Sequence, residues 1–211
     1  MATAAHSVAV KVSGTAVSMT AEATTLVTGT TYQITNTAKR VLDPSVAVVV
    51  NDAGSPVSAT VDYLFGTVTL ASSPGGAVTV TASYLPVATI GECKSVDLSI
   101  SIDLGDITSF DSAGVKKKTS LLQDISGSLG RLVMPIDDLD SATGGVQSIH
   151  SWMLAGTPRL IDVLFTSGAR VRAWVLFKSY KVTGQTSSIV ESTVEFEGSA
   201  QNSLAAFGIG T

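Results

Sequence analysis

The chain has 211 residues, of which 45% are apolar and 14% charged, with 13 Lys+Arg against 17 Asp+Glu for a net charge of −4. A chain this apolar and this weakly charged builds a packed core rather than staying disordered, and it lacks the basic excess that tight general binding to a nucleic-acid backbone requires. A single cysteine, Cys93, excludes an intramolecular disulfide framework and a cysteine-clustered zinc site. The first residues, Met1 to His6, carry no positive n-region and no apolar h-region. No stretch reaches the roughly 18 consecutive apolar residues of a membrane span. The expectation is a product made in a cytoplasm and soluble until it meets a partner.

The periodicity along the chain predicts strands. Ser7 to Val12 alternates with period two, and Ala16 to Thr20 does so more weakly. From Leu42 to Leu85 the pattern predicts a small β-meander. It holds a β-branched run at Val46 to Val50, a turn cluster at Asn51 to Pro56, and strands at Ala59 to Tyr63 and Thr67 to Leu70 around a tight turn at Leu64-Phe65-Gly66. After a second turn at Ser72 to Gly76, the last strand of the set runs from Ala77 to Tyr84. Val96 to Asp103 is the cleanest alternation: Val96, Leu98, Ile100 and Ile102 share one face, and Asp97, Ser99, Ser101 and Asp103 the other. The polar stretch Gly105 to Ser120 has no period and reads as a long loop, followed by a strand at Leu121 to Val133. Val146, Ile149, Met153 and Leu154 form one helical stripe, with Asp137, Asp138 and Asp140 near its positive end and Gly156 and Pro158 closing it. Two long strands follow at Val171 to Tyr180 and Ile189 to Gly198. In the second, Glu191, Thr193, Glu195 and Glu197 share the polar face. The reading is one mainly β unit over 1–211, an antiparallel β-sandwich or barrel with one flanking α-helix and a small β-meander annex at 42–85.

Motifs for chemistry are missing. His6 and His150 have no second ligand at metal spacing, and Cys93 has no histidine beside it and reads as a buried structural thiol. The Asp137-Asp138-Asp140 cluster lacks the spacing and closing glutamate of an EF-hand loop and reads as helix N-terminal charge. Lys116-Lys117-Lys118 is the one charge run, and three lysines are too few for a nucleic-acid patch. Trp152 and Trp174 read as core or interface anchors. No catalytic set, metal or cofactor is expected.

The order of these segments resembles the major tail tube proteins of bacteriophages with long non-contractile tails. Gly105 to Asp111 with Ser120 to Leu129 is similar to that family's loop and following strand. Trp152 to Pro158 is similar to the end of its helix, and Tyr180 to Gly184 with Val194 to Gly198 to its final hairpin. Val61 to Val68 is similar to a small meander common in phage structural proteins. The resemblance runs from about Ser95 onward, and the 42–85 annex departs from many members of the family.

The resemblance implies a structural virion protein that assembles with itself into hexameric rings stacked as a hollow tube, through which double-stranded DNA passes without specific binding. A tape measure protein would lie inside, and tail terminator and distal tail proteins at the ends. Asp97, Ser99, Ser101, Asp103, Glu191, Thr193, Glu195 and Glu197 are the candidates for the lumen wall, where acids and hydroxyls would not hold phosphates. The loop residues Asp106, Asp111, Lys116, Lys117 and Lys118 are the candidates for contact between rings, meeting the helix-side acids Asp137, Asp138 and Asp140. The alternatives are another tail ring component, such as a terminator or distal tail protein, a β-sandwich binding module, or an enzyme on a β scaffold. The absent aromatic row disfavours the module, and the absent catalytic set disfavours the enzyme.

Overall fold

The computed structural model describes residues 8–106, 118–135, 146–165, 168–184, 189–199 and 207–210. The first half forms β1 (Val8–Ser13), β2 (Val17–Thr28), β3 (Thr31–Ile34), a 3-10 turn (Thr37–Lys39), β4 (Val49–Asp52), β5 (Ser55–Val57), β6 (Ala59–Asp62), β7 (Thr67–Leu70) and β8 (Val78–Tyr84). The second half forms β9 (Val87–Asp106), β10 (Lys118–Pro135), α1 (Val146–Ala155), β11 (Arg159–Leu164), β12 (Arg170–Gly184), β13 (Ile189–Gly198) and β14 (Phe207–Gly210). The chain is mainly β with antiparallel sheets and one α-helix among the described residues.

Six strands close on themselves. β1 pairs with both β11 and β9, β9 with β10, β10 with β13, β13 with β12, and β12 returns to β11. β14 lies along the first residues of β12, on the side that β13 occupies further on. Closure leaves few backbone edges for stray pairing. The alternating apolar residues explain the core. Val10, Val12, Ile125, Leu129, Ile161, Val163, Ala173, Val175, Phe177, Val194 and Phe196 form one buried cluster with Cys93. Ile149 of α1 joins it, and Trp152 stacks on Phe177 with ring centroids 6.0 Å apart. The helix ends at Gly156, whose φ of +57° suits a residue without Cβ. The Gly156 amide donates to Met153 O and the Thr157 amide to Trp152 O, a Schellman closure. Leu154, placed on the helical stripe by its spacing, is instead 77% exposed.

The second sheet runs β5-β4-β8-β2-β3-β7-β6. It therefore takes in the expected meander and two strands before it, β2 and β3. β2 is shared: residues 17–23 pair with β8 and residues 24–28 with β3. Its register shifts between Met19 and Glu22, where Ala21 adopts a φ of +49° and its amide donates to the Thr81 hydroxyl at 3.0 Å. This bulge bends the strand so that the two halves of the sheet fold over one core of Met19, Ile34, Leu42, Val50, Val68, Leu70, Val78, Val80 and Ala82. The expected run at Val46 to Val50 is a strand only from Val49.

A third cluster joins the sandwich to the barrel: Val41, Leu64 and Leu85 on one side, Leu160 and Trp174 on the other. Arg172 crosses this seam. Its guanidinium donates to Leu64 O, bonds Asp162, and lies 5.2 Å from the Phe65 ring centre. Phe65 rests on the backbone of β14, where a Cβ on Gly208 or Gly210 would come within 2.7 or 2.5 Å of its ring.

Candidate assembly surfaces

Antiparallel pairing places directly opposed residues on the same face of a sheet. Asp97 opposes Ser128, Ser128 opposes Glu195, and Glu195 opposes Ser179. One step along, Ser99 opposes Ser126 and Ser126 opposes Glu197. The two acidic rows read from the sequence, one on β9 and one on β13, therefore share one face of one sheet, with β10 between them. This is the outer face of the barrel, because Leu98 and Phe196, on the alternate positions, pack in the core.

The face is hollowed. Asp97, Ser99, Ser126, Ser128, Glu195 and Glu197 line a depression of about 360 Å³ together with Lys178. Its floor is Gly127, where a Cβ would stand 2.3 Å from Asp97 O and 2.8 Å from Phe196 Cζ. Lys178 occupies a bulge on β12, between Phe177 and Ser179. Its ammonium bonds the Glu197 carboxylate, which raises the lysine pKa, and the Ser179 hydroxyl donates to Glu195 Oε2 at 2.8 Å. Ser101 opposes Asp124, which puts another exposed carboxylate on this face, and Asp103 and Thr193 are also exposed. Glu191 pairs with Val133 along β13, and its side chain lies outside the described residues.

The sequence reading missed Asp124, Ser126, Ser128, Lys178 and Ser179. The first three had a signal, since they alternate with Ile125, Gly127 and Leu129 through a segment read as a strand. The bulge that aims Lys178 at Glu197 has none, because it arises from pairing with a strand distant along the chain.

The second surface is the far end of the β9–β10 hairpin. Among the described residues β1 pairs with β9 no further than Cys93, and β13 meets β10 from Ser126 onward. Beyond Ile100 and Ile125 the two strands pair with each other alone among the described residues. Ile100, Ile102 and Leu104 continue the core face of Val96 and Leu98 past the barrel, and they are 47%, 49% and 57% exposed. The stretch expected to be a loop from Gly105 to Ser120 is strand at both of its ends, and residues 107–117 lie outside the described residues. Asp106 ends β9 and Lys118 begins β10, and the two residues oppose each other. Asp111, Lys116 and Lys117 fall outside the described residues, as do Asp137, Asp138 and Asp140 of the helix-side cluster.

Among the described residues no group of three or more His, Cys, Asp or Glu side chains is placed to hold a metal ion. No described helix is long and apolar enough to cross a membrane. His150 is exposed on α1 and Cys93 is buried.

No family model matches the chain, and no curated protein matches it. Among solved structures, a chain from the tail of an empty GTA particle, computed with helical refinement in C6 symmetry, is similar at 15% identity and a TM-score of 0.41, over 60% of this chain and 87% of that one.

Proposed function

We propose that this protein is a structural, non-catalytic tail tube subunit of a virion, which assembles with itself into stacked hexameric rings around a channel for double-stranded DNA. The observation that carries the reading is the overshooting hairpin. A two-stranded ribbon is at best marginally stable in water, and a row of isoleucine and leucine on it calls for cover. In a ring, the neighbouring copy supplies that cover through a head-to-tail contact, and six such contacts close.

The acidic hollow face is the proposed channel wall. Asp97, Asp103, Asp124, Glu195 and Glu197 outnumber Lys178 and Lys181 there, so the face repels phosphates at short range. The segment between Asp106 and Lys118, which holds Asp111, Lys116 and Lys117, is the proposed contact between rings, and Asp137, Asp138 and Asp140 are its proposed counterpart. A tape measure protein within the channel, terminator and distal tail proteins at the ends, and a host cytoplasm as the place of synthesis complete the proposal.

Negative-stain imaging of the concentrated protein tests it, with tubes expected. Ile100→Asp combined with Ile102→Asp should leave a folded monomer, by circular dichroism and size exclusion, that forms no tubes. Replacing Lys116, Lys117 and Lys118 by Ala should leave rings that stack poorly. A wild-type chain that stays monomeric at every concentration overturns the reading.

A further inference from the structure

The seam between barrel and sandwich holds a constellation of charges on which the proposed assembly does not call. Lys11 opposes Asp162 across β1 and β11, and Asp162 opposes Arg172 across β11 and β12, so the three stand in a row on the barrel's outer face. Arg170 reaches the same carboxylate from two residues away on β12. Its Nε is 3.2 Å from Asp162 Oδ1, while Arg172 Nε is 3.3 Å from Oδ2. Arg40 approaches from the sandwich, held by a hydrogen bond from its Nε to Ile34 O at 2.9 Å. Lys39, beside it, is already paired with Glu22.

Lys11, Arg170 and Arg172 thus stand around one carboxylate with Arg40 close to the two arginines, and among the described residues none of the four is paired with a second carboxylate. The guanidiniums feel both burial and one another. Burial depresses the pKa of Arg172, and the nearby Arg170 and Arg40 depress it further, although Asp162 opposes them. Burial and Arg170 likewise depress Arg40. Arg170 Nε is buried and, among the described residues, has no hydrogen-bond partner, its approach to Asp162 being too poorly aligned. Three of these cations border open space. Lys11, Arg170 and Arg172 line a hollow of about 290 Å³ with Thr37, Tyr84 and Pro86.

We propose that this hollow is a binding site for a small multivalent oxyanion of the phosphate class, gripped by Lys11 and Arg170 with Arg172 behind them. The charge count selects the class. Set against Asp162, the three cations that line the hollow leave two positive charges; a single carboxylate would match one, whereas a doubly charged tetrahedral anion matches both and offers several acceptor oxygens to the guanidinium forks. The site has walls from both the barrel and the sandwich, so an occupant ties the two together and stabilises the folded chain by mass action.

Isothermal titration calorimetry of the full chain with inorganic phosphate, at constant ionic strength set with chloride, tests the site. One phosphate per chain is expected, with a Kd of about 1 mM or tighter. Lys11→Gln and Arg170→Gln should each weaken it about tenfold, since both leave the Asp162–Arg172 pair intact. Lys11→Arg, which keeps the charge, should retain binding and guards against a variant that merely loosens the fold. In thermal melts the wild type should gain more from phosphate than either Gln variant, which separates occupancy from the general salting effect of phosphate on any protein. Absence of binding heat up to about 10 mM phosphate, or equal phosphate gains in wild type and both Gln variants, overturns the proposal. The test reads the isolated chain, so it stands whether or not tubes form.

Discussion

At the scale of single residues, burial decides what each polar group does. Cys93 is fully buried, and its thiol donates to Ser95 O at 2.8 Å and Gly130 O at 3.1 Å. Burial pushes this thiol above its ordinary value of 9.0. The unfolded thiol therefore gives up its proton first as pH rises, while the folded one keeps it. The stabilising contribution is complete below pH 9.0 and is lost as pH climbs through the raised folded value. Urea midpoints measured across that range should fall more steeply for the wild type than for Cys93→Ala. The native thiol should also resist alkylation until the protein unfolds. That Cys93 is structural was legible, because a lone cysteine with no histidine beside it is usually a small core residue. The fate of His150, exposed on the helix, was less so, since its neighbour Ile149 is fully buried.

At the scale of elements, strand length was the feature the sequence disclosed least. The alternation from Val96 to Asp103 marks the middle of a strand of 20 residues. Its ends were hidden because Gly105 opens the stretch read as a loop, and because hydroxyl-rich segments carry a weak period that only cross-strand pairing resolves. The helix was legible from its stripe and its closing glycine, except that the chain reverses just past Leu154 and leaves that side chain in water. The close approach at Gly127 was not legible either. Phe196 and Leu98 fill the space on the core face where a side chain would stand. Gly127→Ala should cost about 1–3 kcal/mol in chemical denaturation, through displacement of the Phe196 ring and the β9 backbone.

At the scale of the whole molecule, the meander at 42–85 was legible as a small β annex to one mainly β unit, and the sheet that holds it also takes in β2 and β3. β2 and β3 alternate no differently from barrel strands, and only the bulge at Ala21 and the pairing with β8 send them into the sandwich. The two acidic rows were legible, but their meeting on one face was not, since it depends on β10 lying between β9 and β13. The seam was invisible for the same reason: Arg172, Asp162 and Leu64 come together only in the fold. Asp162 and Arg172 are each almost wholly buried. Removing one member of such a pair strands the other charge, so Asp162→Ala should lower the unfolding free energy by about 3–5 kcal/mol, measured by urea titration. Replacing the pair by apolar residues of similar volume should cost much less.

The stretch from Arg170 to Val175 draws these scales together, because from Val171 onward it is buried on both sides. Ala173 and Val175 serve the barrel interior, while Arg172 and Trp174 serve the seam. A one-residue insertion here would exchange the two sets, driving a guanidinium into hydrocarbon and an indole into the space of a methyl group. This short stretch has no slack in its reading frame, and length variation in the protein has to be accommodated elsewhere.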